Sequence, residues 1–158
     1  MEDNFEKSLS VIENSYKSIV TLDEEWRNLE EQLKCVRKMP SISALMNCSP
    51  HWQIKLCGRL EIAIQEVYED LSEKMREVRE CAATITRYKT ELEASGRNIS
   101  FTFTKDLELL LNYLCEEDAK WSAKITNGRQ QQCFHPSALP RYLICAIQRL
   151  RSDLTTLK

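Results

Sequence analysis

From Phe5 onward, apolar residues return every three or four positions, through Leu9, Ile12, Tyr16, Ile19, Leu22, Trp26, Leu29, Leu33 and Val36. A second series runs through Leu60, Ile64, Val67, Leu71, Met75, Val78, Ala82, Ile85, Tyr88 and Leu92. Spacing of this kind places one apolar stripe along an α-helix. The first series predicts a helix over about 3–38 and the second a helix over about 50–94. A helix of about forty residues reaches roughly 60 Å at 1.5 Å per residue, well beyond the mean of about 11–12 residues.

The registers of both series slip once. Tyr16, Ile19 and Leu22 follow at two successive steps of three, which overwinds a coiled coil locally. This predicts a bend or a change of packing partner near Thr21–Glu24. Val67, Leu71, Met75 and Val78 follow at four, four and three, which relaxes left-handed supercoiling. Punctuation sets the ends. Pro40 lacks a donor and disfavours a helical residue before it. In the connector, Ile42, Leu45 and Met46 suit a small helical turn. Ser49-Pro50 reads as an N-cap followed by proline at the first helical position. Gly58 costs about 1 kcal/mol relative to alanine inside a helix and marks a place for a kink. Ser95-Gly96 supplies a left-handed C-terminal cap.

Beyond Gly96 the pattern shortens. Ile99, Phe101 and Phe103 alternate with Ser100 and Thr102, a period-two signal. It predicts an extended segment whose rings plug a groove between helices, or one that pairs with a partner's strand. Thr104 is then the expected cap of a third helix over about 105–126, with Asp106 and Glu108 in its favourable first turn. Its apolar series is Leu107, Leu110, Leu111, Leu114, Trp121 and Ile125, and Asn127-Gly128 ends it. After a loop over 129–136, Ser137 is the expected cap of a fourth helix over about 137–157. There Leu143, Ile147, Leu150, Leu154 and Leu157 form an unbroken seam, which either docks on the bundle or offers a coiled-coil surface to another chain. The expected fold is all-α: a single domain over 1–158, elongated, with two long antiparallel coiled-coil-like helices and two shorter C-terminal ones.

Composition agrees with helix. Charged residues make up 29 % of the 158, against three glycines and four prolines, which argues against sheet and against a long disordered tail. The net charge of −2 excludes the bulk basicity of a nucleic-acid binder. Charge is uneven, with nine acids and six bases in 1–38 but one acid, Asp153, and five bases in 127–158. The acidic start MEDNFEKSLS carries no apolar leader, and the apolar run Leu109–Leu114 is too short for a membrane span. With no secretory signal, the seven scattered cysteines are expected as reduced thiols in the cytoplasm or nucleus.

Candidate chemistry is sparse. Cys133-Phe134-His135 is the closest Cys/His pair, and neither it nor His51, Cys35, Cys48 and Cys57 makes the four-ligand set of paired short spacings that a zinc site wants. A Cys57–His135 dyad lacks any nucleophile signature. Glu24-Glu25, Glu30-Glu31 and Glu116-Glu117-Asp118 read as solvated helix faces, and no glycine-rich phosphate cradle exists. The sequence thus offers no catalytic residue, cofactor motif or metal-ligand set. Arg141, Tyr142, Arg149 and Arg151 form a small basic group that could meet phosphates, although apolar seam surrounds it. Trp26 and Trp121 sit in core-facing registers. Trp52 lies in the first turn of the second helix, where tryptophan suits a partner contact. The candidate partner-binding residues are therefore Trp52, Arg141, Tyr142, Ile147, Leu150 and Leu154.

The order of features also points to a family. A first helix carries Trp26, Glu31-Gln32-Leu33 precedes a proline-containing connector with Ala44-Leu45, and a long charged helix follows Pro50. A Ser/Thr-containing linker, a helix opening Lys105-Asp106-Leu107-Glu108 and a later Ala138-Leu139-Pro140 complete it. This succession resembles the AIRIM family of ribosome maturation factors over most of the chain. The resemblance implies a small helical subunit that joins a second helical adaptor on a hexameric AAA-type ATPase, acting in cytoplasm and nucleus on the large ribosomal subunit. It implies a hetero-oligomeric adaptor without an active site, ATP hydrolysis belonging to the partner. The alternative function is a coiled-coil subunit of a kinetochore or other cytoskeletal or chromosome-associated assembly.

Overall fold

The computed structural model describes residues 2–38, 51–96, 99–127 and 138–156. Four α-helices account for nearly all of them: α1 (Glu2–Arg37), α2 (His51–Ala94), α3 (Phe101–Asn127) and α4 (Arg141–Thr156). The fold is an all-α helical bundle, two long helices followed by two shorter ones, with no strand among the described residues.

The chain divides into two compact units, one formed by 1–19 and 74–158, the other by 20–73. Both long helices run through both units. Their divisions fall close to the slips of register, after Ile19 in α1 and between Leu71 and Met75 in α2. In the first unit the α1 stripe belongs to a core shared by four helices, and in the second, among the described residues, α1 faces α2. The change in spacing thus accompanies a change of neighbours.

Within the first unit, α1 contributes Phe5, Leu9, Ile12 and Tyr16 to the core, α2 Val78, Ile85, Tyr88 and Leu92, and α3 Phe103, Leu107, Leu110 and Leu114. Leu139 and the α4 seam Leu143, Ile147, Leu150 and Leu154 complete it. Phe5 stacks on Tyr88 at 4.6 Å between ring centroids and Ser15 Oγ donates to Glu77 at 3.3 Å, so α1 and α2 run antiparallel here. In the second unit Trp26 meets Tyr68 edge-on at 6.0 Å. There Gln53 Nε2 donates to the carbonyl of Val36 at 2.8 Å and Arg37 pairs with Glu61 at 2.9 Å, again antiparallel.

The helix ends follow from local chemistry. Gly96 adopts φ +69°, a left-handed geometry that glycine takes without a Cβ clash, while Ser95 Oγ donates to the carbonyl of Leu92 at 2.7 Å. The helix is continuous through Gly58. The expected extended segment at Ile99–Phe103 is a correction, because α3 begins at Phe101. Its cap is Ser100, not Thr104: the Phe103 amide donates to Ser100 Oγ at 3.1 Å and the Thr104 amide to the Ser100 carbonyl at 3.2 Å. Burial shows why helix wins. Phe103 continues the seam of Leu107, Leu110 and Leu114, whereas Phe101 is 81 % exposed; a strand would turn both rings to one side. At α4 the amides of Leu143 and Ile144 donate to the carbonyl of Pro140 at 3.0 and 3.1 Å, so proline serves where no preceding amide is needed. The expected caps Ser49-Pro50 and Ser137, and the connector turn at Ile42, Leu45 and Met46, lie outside the described residues.

Candidate interaction surfaces

Helix α4 decides how much of the C-terminal end is available to a partner. Its stripe faces inward: Ile147 is 1 %, Leu150 0 % and Leu154 4 % exposed. These three expected partner-binding residues are core, which corrects that reading and selects docking on the bundle. The bases beside the stripe are engaged as well. Arg149 forks onto Asp106 of α3, Nε and an Nη nitrogen donating to its two carboxylate oxygens at 3.0 and 2.9 Å. Arg151 reaches α1, pairing with Glu6 at 3.2 Å and Glu13 at 2.6 Å and donating to Ser10 Oγ at 3.0 Å.

The expected basic group is thereby half dismantled. Asp106, placed by sequence as a helix-dipole acid, is a buried carboxylate whose fixed geometry matches the planar guanidinium fork. That hydrogen bond holds the Arg149 guanidinium above its usual range. Arg141 and Tyr142, in the first turn of α4, remain exposed beside Ile144. A sequence without tertiary partners gives no means of telling Arg141 from Arg149.

Two grooves mark the first unit. One, of about 320 Å³, lies between α1 and α2 along Lys7, Ser8, Val11, Cys81, Arg87 and Tyr88. Burial raises the Cys81 thiol, partly opposed by a hydrogen bond from Ser8, so it holds its proton rather than serving as a thiolate. The other, of about 340 Å³, lies between α2 and α3 over Val78, Ala82, Ala83, Leu111 and Cys115. It sits between two interhelical clasps, Arg79–Asp118 at 2.7 Å and Lys89–Glu108 at 3.6 Å. Hydrogen bonding to Asp118 raises the Arg79 guanidinium.

Deeper in the core, Tyr16 lies 6.2 Å from Tyr113 between ring centroids. Burial first, then Tyr113, Glu117 and Asp118, raise its phenol well above the ordinary tyrosine range. Tyr16 Oη and Glu117 Oε2 have no hydrogen-bond partner among the described residues. Sequence reading missed this cluster because Glu117 belongs to an acidic triplet that looks solvated, and only its register toward Tyr16 turns it inward.

Among the described residues no group of three or more His, Cys, Asp or Glu side chains is placed to hold a metal ion, and no helix is long and apolar enough to cross a membrane. Cys133, His135 and Cys48 lie outside the described residues, His51 is exposed and Cys57 half-buried.

Among the described residues nine large apolar side chains are exposed, and four of them lie close together in the second unit, between 52 and 62 on α2: Trp52, Ile54, Leu56 and Ile62. Trp52 is 36 % exposed, whereas Trp26 and Trp121 are buried. Bases gather beside it, with Lys34, Arg37 and Lys38 closing α1 and Lys55 and Arg59 on α2. Comparison of the chain with protein-family models, curated proteins and solved structures found no match.

Proposed function

We propose that this chain is a non-enzymatic adaptor subunit that works by presenting helical surfaces to other proteins. The observation that carries the reading is the apolar surface left over once the core is filled. Trp52, Ile54, Leu56, Ile62, Tyr142 and Ile144 stay exposed on helices whose inward stripes already pack against one another. Large apolar and aromatic groups on rigid elements supply binding energy at little ordering cost.

Along the family resemblance, the assembly served is an AAA-type ATPase complex in maturation of the large ribosomal subunit, reached through a second helical adaptor in the cytoplasm and nucleus. In that assembly the ATPase supplies the chemistry and this chain supplies connection. Arg141 and Tyr142 are its contact residues on α4.

The test is mass spectrometry of what co-purifies with the tagged chain from its own cells at moderate salt. Recovery of an AAA-type ATPase with large-subunit precursors supports the reading, and its loss in Arg141→Glu/Tyr142→Ala assigns the contact. Recovery of coiled-coil subunits with tubulin or centromere proteins overturns it in favour of a cytoskeletal or chromosome-associated assembly.

A further inference from the structure

One exposed face of α2 in the second unit carries its charge in an ordered sequence. Trp52, Leu56, Arg59, Ala63, Glu66 and Asp70 follow at alternating steps of four and three, and Lys55 and Ile62 lie beside them, each three residues after one member of the row and four before another. Residues so spaced share one side of a helix. All except the half-buried Ala63 are exposed, Ile62 to 63 %. The face is distinct from the stripe of Leu60, Ile64, Val67 and Leu71 that is buried. Bases precede Ile62 and acids follow it. Among the described residues of the unit, the ion pairs Arg27–Asp23 and Arg37–Glu61 use other residues.

We propose that two copies of this chain associate through this face, their α2 helices antiparallel about a two-fold axis passing between Ile62 and Ala63. That axis sets Lys55 against Asp70 of the partner subunit and Arg59 against Glu66 of the partner subunit, and each contact occurs twice by symmetry. A parallel arrangement would set base on base and acid on acid. Ile62, an apolar side chain standing in water, meets Ala63 of the partner subunit at the centre, where both are desolvated. The mean step of three and a half residues is the one at which a seam keeps facing a partner helix. A two-fold contact requires a surface complementary to itself, and a helix face that changes sign at its midpoint has that property. Self-association takes up Trp52, Leu56 and Ile62 and leaves Ile54, Tyr142 and Ile144 exposed for other proteins.

The test is sedimentation velocity on the full chain and on charge-reversed variants across a concentration series. Lys55→Glu/Arg59→Glu makes the face acidic and Glu66→Lys/Asp70→Lys makes it basic. The wild-type chain is expected at twice the 18.5 kDa chain mass and each variant alone at the single mass, since like charges across an interface weaken it by at least about tenfold. An equimolar mixture of the two variants returns to the double mass, and a chain carrying all four reversals stays dimeric. Circular dichroism holds at wild-type helicity throughout, because all four side chains face solvent. A wild-type chain that stays monomeric at every concentration overturns the proposal. So does a variant as dimeric as wild type, or a mixture that fails to recover association.

Discussion

Leu150→Ala distinguishes an internal seam from a partner-facing one. The side chain is fully buried in the first unit's core. Truncation removes about three methylene equivalents, at about 0.8 kcal/mol each, or roughly 2.4 kcal/mol of transfer free energy. A cavity adds to this where the surroundings cannot collapse. Here α4 is fastened to α3 by the Arg149–Asp106 fork and to α1 by Arg151, so little collapse is available. The total expected is about 3–4 kcal/mol, within the range of about 2–5 for buried leucine truncations. Against a whole stability of about 5–15 kcal/mol this is a large loss, and it lowers the melting temperature by roughly 6–16 °C at about 2–4 °C per kcal/mol.

The assay is urea unfolding followed by far-UV circular dichroism, with Tyr142→Ala as the surface control at the same helix. That control is expected within about 0.5 kcal/mol of wild type. The stronger perturbation, Ile147→Asp with Leu150→Asp, buries two charges without partners and is expected to unfold the first unit. The reasoning is refuted if Leu150→Ala costs less than about 1 kcal/mol while abolishing capture of a partner, or if the double aspartate variant stays folded.

Other perturbations test individual elements. Phe103→Ala is expected to cost about 3–5 kcal/mol and Phe101→Ala less than about 0.5; equal costs in urea unfolding would restore the extended reading of that segment. Ser100→Ala is expected to cost about 1 kcal/mol and Ser100→Gly only a few tenths, whereas an indifferent Ser100 with a sensitive Thr104 would move the cap. Tyr16→Phe removes a buried hydroxyl that lacks a hydrogen-bond partner among the described residues, and is expected to be neutral or stabilising at neutral pH. Because the folded phenol titrates above its unfolded value of about 10, its contribution is intact below that pH and is lost as pH rises through the folded value. The Phe variant therefore loses less stability than wild type on going above about pH 10, and parallel losses in both would count against the buried phenol.

What the sequence disclosed depended on how far each signal reaches. The stripes of α1 and α2 run for several turns, so periodicity placed the helices and marked the slips that accompany the division into two units, while Pro40, Pro50 and Gly96 fixed their ends almost to the residue. Ile99–Phe103 offered only five positions, too few to separate period two from the start of period 3.6. There the deciding information was tertiary: Phe103 has a core to enter and Phe101 has none. The α4 seam was visible as a seam, yet an apolar stripe is the same object whether it meets its own chain or another. The acids opposite Arg149 and Arg151 lie on α3 and α1, far away in sequence, so the basic ending looked like a free surface until the fold supplied its counterions.

Helix α2 differs from α4 in this respect. Its inner stripe is buried within the chain, whereas Trp52, Leu56 and Ile62 on its outer face in the second unit are exposed. That face changes charge sign at its centre. Sequence reading singled out Trp52 alone, from its place near a helix end, because between Lys55 and Asp70 it followed the stripe of Leu60, Ile64 and Val67 and not the charges on the other face. An exposed charge pair is worth roughly 0.2–1 kcal/mol, so the two pairs and their symmetry mates set orientation more than strength. Strength must come from Trp52, Leu56 and Ile62. Ile62→Ser, with every charge in place, is therefore expected to weaken self-association while leaving the antiparallel preference of the charge-reversed mixture intact. Equal association by Ile62→Ser and wild type would show that the apolar groups on this face are not what holds two copies together.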